Sequence, residues 1–574
     1  MQGNYRLRGW LAALLLSAGG CGAADAAKSD FPSAGDSDSD AGAGGGSGGG
    51  ASSGGNGGGD SGDLDAGTLP PEEEESLSFE RPQAGATSVY VPNPATDRVA
   101  IVNASTFAIQ TVKVGRAPTY AATVPGKDIA IVLNVGTRDA SLLRTQAGVT
   151  QVTALPVGHD ANAIVVAPDG EHAVIYYDSR DPNQGAQSFQ DVTVVDLTPG
   201  KETARGVSVG FRPRAVSFSA DGDTAFVVTE DGISVIDLNA ADQGPIIARL
   251  VSLGDGFTDP LSVDVTITAN GKYALARRAE DTVLRLVDLA DGQITPLDLK
   301  VLQVPAADPP ASDGGADTGD SLASGKLEIT DVDIAPDGTF ALAVARSHRA
   351  LIRVPIPLGF STPSLLSVVR VPDQLIGSVS MANTGKLAIV YTTAAPVEGV
   401  TLVSLDTALP VRGVRLRKSV RAVALSADGT RALVLHAKSD GSPQDFGISE
   451  EDRIDRSEGY SLLDTTTGFA KLQLTPARVK ERDLLLTKDP ARMFALLRDD
   501  RLGERSLQMA DLGSFQVTSS RLVAPPSSIG LVPGEGRLFV GQELTGGMIT
   551  FVDVETGAVE KAVTGFELTS RIRQ

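Results

Sequence analysis

A tight turn, most often built on Asp-Gly or Asn-Gly, recurs along this chain, and its spacing limits the possible folds more than any other feature. It reads "VPGKD" at 124–128, "APDGE" at 167–171, "SADGD" at 219–223, "TANGK" at 268–272, "APDGT" at 335–339, "ANTGK" at 382–386 and "SADGT" at 426–430. A degenerate "TKDPA" follows at 487–491, and "PGEGR" at 533–537. From Gly126 to Gly429 the turn glycines stand 44 to 67 residues apart, and the wider gaps hold obvious insertions. Glycine accepts positive φ and Asp or Asn tolerates it, so each turn suits a hairpin. Between the turns, Val- and Ile-rich runs alternate apolar and polar residues with period two, which is strand spacing. No stretch keeps a helical face for three turns.

One unit parses into four strands: A, "RAVSFS" (214–219); B, "TAFVVT" (224–229); C, "ISVIDL" (233–238); and D, "IIARLVSL" (246–253). A period in the forties with four strands per unit is the signature of propeller blades. The expected fold is therefore all-β, a β-propeller of four-stranded antiparallel blades over 87–574. It has about seven to ten units, arranged as one large ring or two smaller propellers. The first unit, 88–115, contains B, C and D without a preceding A. The final "GFELTSRIRQ" (565–574) is placed to supply that strand, which would join the first and last blades and remove two sheet edges.

The run at 89–132, "VYVPN" through "DRVAIVNASTFAIQTVKVGRAPTYAATVPGKDIAIV", resembles the YVTN-type β-propeller repeat. "VTVVDL" (192–197), "VSVGFRPRAVSFSADG" (207–222) and "SVIDL" (234–238) carry the likeness again, while 476–525 departs from it. The resemblance covers most of 87–574 and implies the fold. It implies no shared active site, because blades rather than a catalytic motif define that family.

The N-terminus is of another kind. "MQGNYRLRGWLAALLLSAGGC" places Arg6 and Arg8 before an apolar run, Trp10–Ala18, too short to span a bilayer, and reads as a bacterial export signal over 1–20. Small residues followed by Cys21 resemble a lipobox, although Ala18 stands where that pattern prefers leucine. The resemblance implies that the Cys21 thiol receives a diacylglycerol, and Gly22 after it implies an outer-membrane address. The other reading is ordinary cleavage after Ala26, with Cys21 discarded. On either reading the mature chain is exported and has no disulfide.

Residues 21–86 form an acidic Gly/Ser-rich tether, too poor in apolar residues to offset its ordering entropy. A flexible chain of ~60 such residues spans roughly 40–45 Å. Between 22 and 86 there are 13 acids against Lys28 and Arg81, a net −11 out of −21 for the whole chain. That balance lacks the basic footprint of nucleic-acid binding and keeps the chain soluble.

Blade topology places A–B and C–D turns on one face and B–C and D–A connections on the other. The three longest inserts, 178–190, 305–325 and 438–459, all fall on the second face. Inserts gathered on one face of a repeat array mark a binding side or are tolerated loop growth. The 438–459 insert has the most varied chemistry, and Phe446, Ile448, Arg453, Ile454 and Arg456 are its candidate binding residues.

Catalytic and metal chemistry has little support. His159, His172, His348 and His436 lie in different units, and zinc or copper would need converging imidazole or thiolate ligands. Asp36, Asp38 and Asp40 alternate as in a calcium loop, but the glycine comes one place late and no glutamate closes it. The chain has no G-x-S-x-G elbow, H-E-x-x-H or phosphate-binding loop. The sequence thus points to an envelope lipoprotein that needs no cofactor and binds or scaffolds an envelope or surface protein through the loop-rich face. The alternative, from fold analogy, is a hydrolase or lactonase with its site at the central channel.

Overall fold

Each of these turns joins two neighbouring strands, and the strands assemble into ten antiparallel sheets. The computed structural model describes residues 84–566, apart from 159, 179–188, 240–245, 255–262, 279–280, 303–326, 372–373, 406–409, 489–490 and 545. Blade 4 shows the pattern: A is Ala215–Phe218, B Thr224–Thr229, C Gly232–Asp237 and D Arg249–Val251, hydrogen-bonded in that order. Strand D is shorter than its sequence suggests, because Ile246 packs with Leu238 into the core between blades 3 and 4 instead of extending the sheet. The ten sheets begin at Ser88, Pro118, Ala163, Ala215, Val263, Ile329, Ser378, Val420, Leu484 and Pro526. Blade 1 has three strands among the described residues, Ser88–Asn93, Arg98–Asn103 and Ile109–Lys113. Of the 565–574 segment expected to complete it, 567–574 lie outside the described residues.

The turns differ from their reading in one respect. Only the glycine takes positive φ, 80° at Gly222 and 73° at Gly429. Asp and Asn contribute acceptors instead. Asp221 Oδ1 accepts from Asp223 N (3.2 Å), Asn270 Oδ1 from Lys272 N (3.0 Å) and Asp428 Oδ1 from Thr430 N (3.0 Å). The residue opening the turn adds a second lock, as Ser219 Oγ accepts from Thr224 N (3.0 Å) and Ser426 Oγ from Arg431 N (2.9 Å).

The core lies between the blades. Ten clusters of buried Val, Ile, Leu, Ala and aromatic residues join ten successive pairs of sheets. The last of these closes the ring, with Val102 and Ala104 of blade 1 against Ile549, Phe551 and Val563 of blade 10. Gly534 N donates to Ala86 O (3.0 Å), Arg537 Nη1 to Ala104 O (3.1 Å), and Phe107 packs 5.4 Å from Phe551. Two smaller propellers would need closing clusters within each half of the chain. The clusters instead run unbroken through all ten blades, so the molecule is one ring.

Ring closure also fixes where the chain enters. Thr87 Oγ1 and N donate to Asp128 (2.6 and 2.8 Å), and Asp128 belongs to the A–B turn of blade 2. The described chain thus begins on the face of the A–B turns, which also carries the C–D connection of blade 6 with its helical turn Leu358–Ser361, and the longest described connection, 437–457 of blade 8, leaves the opposite face. Among the described residues no helix is long and apolar enough to cross a membrane.

Candidate functional site

Blade 4 joins its B and C strands with two residues, Glu230 and Asp231, whereas blade 8 uses 437–457 between Arg431–His436 and Glu458–Asp464. This connection is a folded arm. Its helix, Glu450–Asp455, has six residues and cannot hold itself together in water. Both ends are therefore fastened. At the N-terminus Ser449 Oγ accepts from Asp452 N (3.0 Å), and Asp452 Oδ2 accepts from Ser449 N (3.2 Å), a reciprocal capping box. The Ser449 hydroxyl and amide hold the Asp452 carboxyl below its ordinary range.

At the C-terminus a wholly buried cation does the fastening. Lys418, from the D–A connection leading into blade 8, donates from Nζ to Ile454 O (3.0 Å) and Asp455 O (2.6 Å). The partial negative charge of a helix C-terminus suits an ammonium group. Burial pulls the Lys418 pKa below its ordinary value, against the attraction of Asp455 and Glu458. His436, also buried, packs under the same corner, with Nδ1 3.0 Å from Ser419 O and Nε2 2.7 Å from Ser461 Oγ. A carbonyl can only accept, so Nδ1 carries the proton and Nε2 accepts from the serine. Burial first, then the Lys418 and Arg421 charges, lower its pKa to about 4.

The outer part of the arm folds on Arg456, whose Nη1 lies 2.8 Å from Asp445 Oδ2. Gly441, at φ 100°, lies beneath that guanidinium, where a Cβ would come within 2.8 Å of Nη1. Next to Asp445 stands Phe446, whose side chain is fully exposed. The five candidate residues thus divide. Arg456 makes the internal ion pair, Ile448 and Ile454 are half-buried, and Phe446 and Arg453 face solvent. Cys21 lies outside the described residues. Sequence reasoning missed Lys418, because "LRKSV" reads as a polar connection and its acceptors lie 36 and 37 residues away. It noted His436 only as one of four scattered histidines.

Of the other two inserts, 305–325 lies outside the described residues, and 178–190 is described only at its ends. There Phe189 packs edge-on to Tyr177 (6.0 Å) and beside Phe211 (5.9 Å), with the Arg212 guanidinium over both Phe189 and Phe211. His172 Nδ1 is 3.9 Å from Asp169 Oδ2 on the tight-turn face, and His159 is outside the described residues. Among the described residues no three His, Cys, Asp or Glu side chains gather closely enough to hold a metal ion.

The chain is a ten-bladed β-propeller. No protein-family model matches it, and no curated protein does. Solved structures that resemble it include a eukaryotic initiation factor, with a TM-score of 0.44 and 12% identity over 83% of this chain and 96% of that one. Dihydro-heme d1 dehydrogenase NirN in complex with DHE aligns with a TM-score of 0.37 and 14% identity, over 66% of this chain and 71% of that one. Hydrazine synthase of Kuenenia stuttgartiensis gives 0.27 and 18%, over 59% and 98%. At these identities and TM-scores the likenesses carry no argument about activity or partners.

Proposed function

We propose that this chain is an exported lipoprotein, anchored through Cys21 and built of YVTN-like blades, whose loop face holds an envelope or surface protein. The observation that carries this reading is the blade 8 arm. A capping box, a buried lysine and an ion pair fix some twenty residues in place, and the side chain they display is a fully exposed phenylalanine. Exposed apolar surface on a fixed scaffold suits binding, because little ordering cost remains to be met when a partner arrives. The start of the described chain at the A–B turn of blade 2, on the face opposite the arm, supports the same reading.

The test is to replace 438–457 with the two-residue Glu-Asp link of blade 4. The change is combined with Lys418→Met, because excision alone would strand a buried ammonium without its acceptors. The expected outcome is an unchanged β-sheet circular dichroism spectrum together with loss of the partner captured by crosslinking in the producing cell. An unaltered set of captured partners would show that the arm is not the working element.

A further inference from the structure

The arm's charge pattern narrows what it can meet, on the reading that the loop face binds a protein. Residues 438–459 contain Asp440, Asp445, Glu450, Glu451, Asp452, Asp455 and Glu458 against Lys438, Arg453 and Arg456, a net −4. The Arg456–Asp445 pair cancels internally, and the arm that displays Phe446 also exposes Asp440, Glu450 and Glu451.

The same face exposes apolar side chains on blades 9 and 10. Leu502, in the B–C turn of blade 9, and Leu544, in that of blade 10, are exposed, as is Val523 in the D–A connection between these blades. Backbone bonds tie the three segments together, with Leu522 N donating to Arg505 O (2.9 Å) and Glu543 N to Pro525 O (2.8 Å). The Arg498 guanidinium bridges Glu543 (2.6 and 2.9 Å) and Asp500 (3.0 Å), leaving one net negative charge in this group beside the apolar residues. An exposed aromatic side chain, further exposed apolar residues and exposed charges on one face are the elements of a protein interface.

We infer that Phe446 is an anchor residue that plugs an apolar pocket on a partner protein whose rim is basic. Charge selects this occupant. A second copy of the chain would bring its own acidic arm against this one, and anionic lipid headgroups would repel the same carboxylates. A basic rim meets Asp440, Glu450 and Glu451 favourably while the phenyl ring leaves water.

The test pans a displayed library of random 16-residue peptides against the full chain, followed by counter-selection on the Phe446→Ser chain. Peptides kept by the first and released by the second should carry Lys or Arg around apolar residues. In fluorescence anisotropy such a peptide should bind the Phe446→Ser chain at least ~30-fold more weakly, as expected for an anchor. The triple variant D440N, E450Q, E451Q should bind ~10-fold more weakly at 50 mM NaCl and respond less to added salt. Circular dichroism of both variants reports that the fold is kept.

Selected peptides without basic residues, or equal binding by the Phe446→Ser chain, would overturn the inference. Loop-face binding would still stand if those peptides were lost on excising 438–457, and would fall with the inference if they were not. A dimer that dissolves on Phe446→Ser, seen by sedimentation, or Phe446-dependent binding to phosphatidylglycerol vesicles would also overturn it.

Discussion

Asp221 and Gly222 separate two jobs that the sequence presents as one. Gly222 supplies the left-handed backbone, and Asp221 supplies an acceptor for the amide two residues on. The turn and its place between strands A and B were legible, because both depend on residues adjacent in sequence. What a buried polar side chain meets from elsewhere was not. His436 is such a case, held between Ser419 and Ser461 beside Lys418. Its folded pKa of about 4 lies below the ~6.5 of an unfolded histidine. Protons therefore bind the unfolded chain first, so this contribution to stability is complete above about pH 6.5 and drains away as pH falls toward 4. Between pH 7 and pH 4.5, urea unfolding of the native chain should lose about 2–3 kcal/mol more than unfolding of His436→Asn. Parallel losses in the two proteins would remove His436 as the cause.

Strands A and D carry the contrast between legible and illegible at the scale of elements. Period-two alternation located the strands, yet "ITDVDI" gives no sign that Asp331 and Asp333 are buried. The A strand of blade 7 pairs with its own B strand on one side only, and amides on its free side need acceptors. Asp331 Oδ2 accepts from Val379 N (2.7 Å) and Asp333 Oδ2 from Met381 N (3.1 Å), stitching the A strands of blades 6 and 7 together. Asp331→Ala leaves the Val379 amide buried without this acceptor, and chemical denaturation should register a loss of about 1–3 kcal/mol. A neutral result would mean that water or a shifted side chain takes over the bond. The arm was legible as an insert with five candidate residues, but not which of them, Phe446 and Arg453, face solvent. Its fastening by Lys418 was hidden, because nothing local distinguishes a lysine that caps a distant helix from one in solvent.

The whole molecule is held together by contacts between neighbours, ten interfaces in a closed circuit with no interface left open. Blade count was bounded by turn spacing, but one ring against two could only be decided by seeing which sheets pack together. Closure gives the ring two unlike faces: one receives the start of the described chain beside the A–B turn of blade 2, and the longest described connection, the blade 8 arm, emerges from the other. If the second face is the working one, site-specific photocrosslinking in the producing cell will show it. A photoreactive residue is placed at Phe446 in one protein and at Asp223, in a tight turn, in another. Position 446 should give a discrete crosslinked protein species and position 223 none; equal yields at the two positions, or a species at 223 alone, would contradict the account.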